Sequence, residues 1–203
     1  MEIIGLTVGA LATNCYLVFD SDDRSGLIID PGDEANFISE KILQLNFKPV
    51  AIIATHGHFD HILAARELQL AFQIPFLIHQ EDEKIVNYMS QSAQWWLKRE
   101  IIEQPPKIDE YLIEGQTVSF GSEQLTVFHA PGHTPGSICL YSKKEKILFS
   151  GDVIFKDGIG RTDLPYSSPL AMEKSLKKIR QKLSSFIVYP GHGEKFYLSN
   201  QPL

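Results

Sequence analysis

Thr55-His56-Gly57-His58-Phe59-Asp60-His61 carries more information than any other stretch of the sequence, because it places three imidazoles and a carboxylate within six residues. It directly follows residues 50–54, a short apolar run typical of a strand buried on both faces. In an extended loop side chains repeat every two residues, so the first two histidines point the same way, whereas the aspartate and the last histidine begin the next helix and face another direction. Since imidazole and carboxylate are usual ligands of divalent ions, the stretch predicts two neighbouring metal ions with two ligands each.

Three further candidate ligands lie far along the chain. His133, Asp152 and His192 each come after an apolar run and beside glycine, where the backbone can bend and approach an ion closely. A single histidine after a strand is more often an ordinary polar residue, but the clustered motif makes metal binding the better interpretation of the whole set. The predicted ligands are His56, His58, Asp60, His61, His133, Asp152 and His192. His79 and His129 are interpreted as ordinary polar residues outside that set.

Length and composition restrict the class of protein. The chain has 203 residues, of which 43% are hydrophobic and 22% are charged, close to the average for soluble globular proteins. These values exclude a disordered chain, a collagen-like repeat and a disulfide scaffold. We expect one domain over residues 1–203, long enough to bury a core without disulfides. Cys15 and Cys139 lie in apolar runs and are predicted to be buried free thiols.

Charge and hydropathy argue against two classes of partner. The net charge is -6, and the only basic cluster, at residues 174–182, has the pattern of an exposed helix face, so no nucleic acid is expected as a partner. No apolar run approaches the roughly 18 residues of a membrane span, so no membrane contact is expected. Residues 1–5 lack the features of a signal peptide. We therefore expect a cytoplasmic protein, either a monomer or a homodimer.

The strand and helix patterns fall into two similar halves, each strand-rich first and helical afterwards. Predicted strands cover residues 3–8, 15–19, 26–29, 50–54, 75–79, 117–120, 125–128, 138–141, 146–149 and 186–189. Predicted helices cover residues 33–46, with Asp33 as the cap, residues 60–72, and a segment that begins at Ser168 with Pro169 in its first position. This order favours an α/β (α+β) fold in which two sheets pack face to face with helices outside, a four-layer αββα sandwich.

Residues 80–112 interrupt the strand-rich pattern. Two helices are predicted there, at residues 81–89 and 92–103, and the second carries Trp95 and Trp96. A lid beside the site is one interpretation of this segment. Aromatic pairs at helical spacing more often belong to the core, so core or a dimer surface is the favoured interpretation.

The predicted ligands resemble those of the metallo-β-lactamase superfamily, which shares a His-x-His-x-Asp-His motif, a later histidine, an aspartate and a final histidine. The resemblance covers nearly the whole chain. Within the superfamily the sequence is most similar to the glyoxalase II (hydroxyacylglutathione hydrolase) branch. Four stretches carry that similarity: Thr-Asn-Cys-Tyr at residues 13–16, Ile-Asp-Pro-Gly at 29–32, Pro-Gly-His-Thr-Pro-Gly-Ser at 131–137 and Gly-Arg-Thr-Asp at 160–163.

The resemblance implies a metallo-β-lactamase fold and a dinuclear site. The implied ligands are His56, His58 and His133 for the first metal, Asp60, His61 and His192 for the second, and Asp152 as a bridge between them. The expected cofactors are two divalent metal ions, zinc before iron or manganese. Asp60 and Asp152 are the expected catalytic residues.

The activity implied by the resemblance is hydrolysis of a thioester, S-lactoylglutathione or a related hydroxyacyl thioester, by a metal-bridging hydroxide that needs no protein nucleophile. The expected partner is therefore a small-molecule thioester of the glutathione-derived kind. Classical glyoxalase II enzymes carry a further C-terminal helical region that grips glutathione. Because the sequence continues only a short way past His192, we expect the short form without that region.

The Gly-Arg-Thr-Asp stretch is predicted to support the ligands. Asp163 would accept the free N–H of a ligand histidine, and Arg161 would hold the loop. A plain surface turn with an ion pair is an equally good interpretation.

Several alternatives stay open from the sequence. Persulfide dioxygenases resemble the chain too, and would use one iron held by His56, His133 and Asp152. A metal-dependent nucleic-acid hydrolase of the same superfamily would need a basic channel and an added domain. A metal-stabilised binding module would leave no exchangeable water. A true β-lactamase is disfavoured without a signal peptide.

Overall fold

Two six-stranded sheets pack face to face in the computed structural model, which describes residues 1–200. Helices cover the outer face of each sheet. The predicted α/β architecture, a four-layer αββα sandwich, is therefore confirmed. The site lies at one end of the sandwich, where several strands of both sheets end.

The first sheet has the strand order β1-β2-β3-β4-β5-β6. Its strands are β1 (Glu2–Val8), β2 (Thr13–Phe19), β3 (Ser25–Ile29), β4 (Lys48–Ile53), β5 (Phe76–His79) and β6 (Ile108–Leu112). The first three strands pair antiparallel and the last four pair parallel. Parallel neighbours need crossover connections, and helices supply them here. Strand β6 was not predicted, because its adjacent acidic residues Asp109 and Glu110 interrupt the apolar run expected of a buried strand.

The second sheet has the order β14-β13-β10-β9-β8-β7. Its strands are β7 (Thr117–Phe120), β8 (Glu123–His129), β9 (Ile138–Ser142), β10 (Ile147–Gly151), β13 (Ile187–Pro190) and β14 (Phe196–Tyr197), and a separate hairpin consists of β11 (Ile154–Phe155) and β12 (Gly158–Ile159). Strands β10 and β13 pair in parallel, and the other neighbours pair antiparallel.

Six α-helices complete the layers within residues 1–200. They are α1 (Ala35–Gln44), α2 (Phe59–Ile62), α3 (Ala65–Phe72), α4 (Glu83–Asn87), α5 (Met89–Leu97) and α6 (Pro169–Leu183). The predicted helix cap at Asp33 is wrong, because Glu34 occupies the N-cap in a left-handed conformation and no side chain caps the helix. The helix predicted over residues 60–72 is divided into α2 and α3. Ser168 does cap α6, with Pro169 in the first turn.

The core consists of three apolar layers, which the alternation of β2 illustrates. Leu17 and Phe19 face the helices on the outside of the first sheet, whereas Val18 faces the second sheet. Side chains of a strand alternate between its faces, so one strand contributes to two layers. The third layer packs the second sheet against α6. Cys15 and Cys139 are buried free thiols, as predicted.

The segment at residues 80–112 differs from its prediction. Its helices are shorter than expected and the last one ends at Leu97. Met89 and Ala93 are buried, but Trp95 and Trp96 are 62% and 48% exposed, so the core interpretation of the tryptophan pair is wrong. No helix among residues 1–200 combines the length and the apolar character needed to cross a membrane.

Candidate metal centre

All seven predicted ligand residues meet at one end of the sandwich. His56 follows β4, His133 lies between β8 and β9, Asp152 follows β10, and His192 follows β13. Three overlapping groups have their donor atoms within 4.8 Å of one another: His56 with His58 and His133, His56 with His61 and Asp152, and Asp60 with His61 and His192. Strands β4, β8, β10 and β13 all end at this edge of the sandwich, which brings residues far apart in the sequence to one place.

The first cluster consists of His56, His58 and His133. The Nδ1 atom of His58 lies 3.0 Å from Nε2 of His56 and 2.9 Å from Nε2 of His133. The second cluster consists of Asp60, His61 and His192. The Nε2 atoms of His61 and His192 lie 3.3 Å apart, and Oδ2 of Asp60 lies 3.4 Å from Nε2 of His192.

Asp152 stands between the two clusters and presents one oxygen to each. Its Oδ2 lies 3.5 Å from Nε2 of His133, and its Oδ1 lies 3.4 Å from Nε2 of His61. Oδ1 is buried and has no hydrogen-bond partner among the described residues 1–200. A buried carboxylate oxygen without a donor is costly, so its position suits a bound cation.

Each of the five histidines uses its other ring nitrogen to contact an oxygen atom. The contacts are Nδ1 of His56 to the Thr55 hydroxyl, Nε2 of His58 to the Tyr166 hydroxyl, Nδ1 of His61 to Asp30, Nδ1 of His133 to the Arg161 carbonyl and Nδ1 of His192 to the Leu11 carbonyl. Metal-ligating histidines almost always have such outer partners. Most of these oxygen partners were not predictable from the spacing of residues in the sequence, because all except Thr55 lie on segments distant from their histidine.

These contacts determine which nitrogen carries the proton. A carbonyl or a carboxylate only accepts, so in the neutral imidazoles of His61, His133 and His192 the proton lies on Nδ1 and the lone pair of Nε2 is turned inward. The Thr55 hydroxyl already donates to Asp30 over 2.7 Å, so it accepts from Nδ1 of His56. Four inward nitrogens thus converge as acceptors, which is the donor set that a divalent ion requires.

The clusters perturb the acidity of their own members. Burial and the neighbouring imidazole of His61 lower the pKa of His56 well below its ordinary value. Burial and His133 lower the pKa of His58 to about 3. Burial alone would lower the pKa of His61 as well, but the carboxylates of Asp152 and Asp30 outweigh it and raise that pKa. His56 and His58 therefore favour the neutral imidazole, whereas the carboxylates around His61 favour its protonated form.

Asp30 supports the second cluster and was not identified from the sequence as a site residue. It is buried, and its Oδ2 lies 3.0 Å from Nδ1 of His61. Its Oδ1 accepts the Thr55 backbone N–H over 2.7 Å. The available signal was its place in the Ile-Asp-Pro-Gly stretch, directly after a buried strand.

Asn14 and Tyr16 hold the segment that carries His192. The Asn14 amide donates to the carbonyls of Pro190 and Gly193 over 3.0 and 2.8 Å. The Tyr16 hydroxyl donates to the Pro190 carbonyl over 2.7 Å. The Thr-Asn-Cys-Tyr stretch therefore links the first sheet to the last predicted ligand.

The structure corrects the expectation for Asp163. Its carboxylate pairs with the guanidinium of Arg161 at 2.9 Å for both contacts, and both side chains are exposed. The backbone carbonyl of Arg161 accepts from Nδ1 of His133 over 2.9 Å instead. The Gly-Arg-Thr-Asp stretch thus contacts a predicted ligand through its main chain, which residue type alone does not reveal.

A cavity of about 230 Å³ opens over the two clusters. Apolar side chains at its wall include Leu11, Trp96 and Leu164, and polar ones include Ser92 and Arg161. Helix α5 supplies two of these five residues. The segment at residues 80–112 therefore borders the site.

His79 and His129 lie outside both clusters. Their rings stack at 4.1 Å with an angle of 13° between the planes. Nε2 of His129 donates to the Pro135 carbonyl over 2.9 Å. Glu81 lies near enough to complete a further group of potential ligands, but Nδ1 of His79 accepts the Glu81 backbone N–H and Nε2 of His129 contacts a carbonyl, so both nitrogens have protein partners. The pair remains apart from the predicted site, as expected.

Comparison with known proteins agrees with these observations. The profile of the Metallo-beta-lactamase superfamily matches residues 8–192. A probable metallo-hydrolase, YqgX of Bacillus subtilis (strain 168), is 37% identical in an alignment 193 residues long that covers 93% of this chain and 88% of that protein. The hydroxyacylglutathione hydrolase GloC of Haemophilus influenzae is 34% identical in an alignment 205 residues long that covers 95% of this chain and 90% of that protein.

Solved structures agree in fold over almost the entire length. The BLEG-1 B3 metallo-beta-lactamase superposes with a TM-score of 0.89 at 32% identity and covers 98% of this chain and 95% of its own. The structure of TTHA1623 in a di-iron-bound form superposes with a TM-score of 0.87 at 34% identity. The superposition covers 97% of this chain and 95% of that one. The profile and these relatives together establish that the chain belongs to the metallo-beta-lactamase superfamily.

Proposed function

We propose that the chain is a metal-dependent hydrolase of acyl thioesters, with S-lactoylglutathione or a related hydroxyacyl thioester as substrate. The observation that carries this proposal is the sharing of Asp152 between two donor clusters on the floor of one open cavity. The orphaned Oδ1 of that residue and the inward lone pairs of the histidines suit two cations. The thioester substrate is supported by the similarity to GloC and to the glyoxalase II branch.

In this proposal the two clusters are two metal sites that share a ligand. One site consists of His56, His58, His133 and Oδ2 of Asp152, and the other consists of Asp60, His61, His192 and Oδ1 of Asp152. When bound, two divalent ions supply Lewis acidity, which activates water and polarises a carbonyl group. Zinc is the metal we favour, with iron or manganese as alternatives.

The residues around the clusters keep the donors in position. Asp30 and the carbonyls of Leu11 and Arg161 hold three imidazoles in the tautomer that directs Nε2 inward. Asp60 and Asp152 contribute the negative charge that balances the cations. Tyr166 holds the outer nitrogen of His58 over 2.6 Å and also faces the cavity.

The cavity wall supports a substrate with both apolar and polar parts. Leu11 and Trp96 offer apolar surface, and both are partly exposed at 43% and 48%. Ser92 and Arg161 offer hydrogen-bond donors in the same wall. In this proposal the carbonyl carbon of the thioester lies over the clusters, and the part of the substrate derived from the thiol lies along this wall.

The proposal is tested with zinc-loaded protein and a panel of substrates. We expect release of free thiol from S-lactoylglutathione, measured with a thiol reagent, by protein that holds close to two metal equivalents. The panel includes an acyl-coenzyme A thioester, a chromogenic β-lactam and glutathione persulfide. Metal-replete protein that hydrolyses no thioester would overturn the proposal. Oxygen consumption with the persulfide at one iron per chain would assign the dioxygenase activity instead, and turnover of the lactam alone would assign a lactamase.

A further inference from the structure

Asp82 is the most deeply buried carboxylate outside the two clusters. Its residue exposure is 0%, and it lies just before α4, in the interrupted segment at residues 80–112. Burial of a carboxylate is costly unless it is fully hydrogen-bonded. The three donors that satisfy Asp82 come from two distant loops.

The first loop is the motif between β4 and α2. The backbone N–H of Gly57 donates to Oδ2 of Asp82 over 2.8 Å. Gly57 is the residue between His56 and His58, so this hydrogen bond restrains the backbone between two predicted ligands.

The second loop joins β8 to β9. The Thr134 hydroxyl donates to Oδ2 of Asp82 over 2.7 Å, and the Gly136 backbone N–H donates to Oδ1 over 2.7 Å. Thr134 directly follows His133 in the sequence. A Cβ atom added to Gly136 would lie 2.7 Å from Oδ1 of Asp82, so the glycine allows the close approach.

The hydrogen bonding of Asp82 differs from that of an ordinary helix cap. Asp82 is the N-cap residue of α4, where aspartate normally accepts a hydrogen bond from the first turn of its helix. Its side chain makes no such cap here. The carboxylate instead faces the two loops, so it accepts hydrogen bonds from distant segments and none from the first turn of α4.

We propose, on the basis of the metal centre proposed above, that Asp82 is a positioning residue for the first metal site. It joins the loop of His56 and His58 to the loop of His133, and contacts none of the residues of the second cluster. Asp30 contacts His61 of the second cluster directly and reaches His56 of the first cluster only through the Thr55 hydroxyl. A buried aspartate therefore lies behind each cluster, and only Asp82 joins the two loops of the first.

Asp20 provides a matched control for the test. It is also buried, at 3% exposure, and its carboxylate accepts three hydrogen bonds of 2.7–2.8 Å, from the N–H of Asp22 and from the N–H and hydroxyl of Ser122. It lies at the other end of β2, away from the clusters. Loss of either carboxylate removes similar contacts, but only Asp82 adjoins the first cluster.

The experiment measures zinc affinity by competition with a chromophoric chelator, for the wild type and for Asp82→Asn, Asp20→Asn and His133→Ala. The wild type should bind two equivalents, and His133→Ala identifies the class of site that depends on the first cluster. In Asp82→Asn the zinc affinity of that same class of site should fall by about 10–100-fold, as it does when outer partners of metal ligands are removed. The zinc affinity of the other class should not change. Asp20→Asn should change neither class.

The outcomes separate the two proposals. If Asp82→Asn binds zinc like the wild type, or if it weakens both classes equally, the positioning role is overturned. If the wild type binds no zinc, the metal centre itself is wrong. Should Asp82→Asn fail to fold, Thr134→Val and Thr134→Ser take its place: the valine variant loses the hydroxyl and should weaken the first class, and the serine variant should retain it. Equal affinities in these two variants would also overturn the proposal.

Discussion

At the scale of single residues, Asp152 has the largest predicted effect on activity, because both clusters depend on its carboxylate. We expect Asp152→Ala to reduce turnover of S-lactoylglutathione by more than about 100-fold, since loss of even an outer partner of a metal ligand costs about 10–100-fold. The fold should be retained, because Oδ1 makes no hydrogen bond among the described residues. Initial rates and circular dichroism of both proteins test this, and a variant with near-normal turnover would remove Asp152 from the site.

A second residue-scale prediction concerns acid stability at Asp20. Hydrogen bonds from the Ser122 hydroxyl and from the N–H groups of Asp22 and Ser122 hold the pKa of Asp20 below its ordinary value of 3.8. A carboxyl whose pKa is lower in the folded state stabilises the fold at any pH above the ordinary value. That contribution is lost as the pH falls through the folded-state pKa.

The corresponding measurement is urea unfolding of the wild type and Asp20→Asn. We expect the variant to be less stable at neutral pH, and the difference in unfolding free energy to shrink below pH 3.8. A difference that stays constant down to about pH 2 would contradict the assignment of the stabilising form to the carboxylate.

The sequence predicted the candidate metal ligands better than it predicted the residues that hold those ligands in position. All seven candidate ligands lie together, because imidazole and carboxylate at the ends of apolar runs are a local signal. Asp30 and Asp82 were not predicted, because their contacts depend on which loops the fold brings together. The misplaced role of Asp163 has the same cause, since the useful atom of that stretch is the main-chain carbonyl of Arg161.

At the scale of elements, α6 is the helix whose start the sequence predicted best. Ser168 accepts a hydrogen bond from the Ala171 N–H over 3.2 Å, and Pro169 occupies the first turn. Both residues have strong and local preferences for these positions. The start of α1 was predicted wrongly, because its N-cap residue is Glu34, in a left-handed conformation, and not Asp33.

We expect Ser168→Ala to lower the free energy of unfolding by about 1 kcal/mol, the usual cost of losing an N-cap side chain. Urea unfolding measures this value. Ser184→Ala, at the exposed C-terminal end of the same helix, is the matched control and should change stability much less. Equal losses in the two variants would mean that the cap hydrogen bond contributes nothing measurable.

Within residues 1–200, two of the four edge strands, β6 and β14, were not predicted, whereas the edge strands β1 and β7 were. Strand β6 contains two acidic residues and β14 is only two residues long, so neither has the apolar pattern of a strand. Helix α5 was predicted too long, and its tryptophans were assigned to the core. Both tryptophans are exposed, because the buried side of that helix consists of Met89 and Ala93.

At the scale of the whole molecule, the layered architecture follows from the order of strands and helices. The central strands of both sheets are mostly apolar and were located within about two residues, the usual uncertainty of helix and strand ends. The resemblance of the motifs to a known superfamily then gave the complete fold, which the pattern alone supported weakly.

We expect removal of metal to lower thermal stability as well as activity, because the proposed ligands come from loops of both sheets. A ligand that binds only the folded state stabilises it by about 2.7 kcal/mol at a hundred-fold excess over its dissociation constant. For a chain of this size that corresponds to a decrease in Tm of roughly 5 °C or more on treatment with a chelator. Differential scanning fluorimetry measures the shift, and added zinc should restore it. Identical melting with and without chelator would contradict a structural contribution of the metals.

The separation of the ligands along the chain has a consequence for biosynthesis. His61 and His192 meet across 131 positions of sequence, whereas all three histidines of the first cluster have been translated by residue 133. A chain that is still emerging from the ribosome can therefore present the first three imidazoles long before the second cluster exists. The shared carboxylate follows at residue 152, and the second cluster is complete only when His192 has been translated.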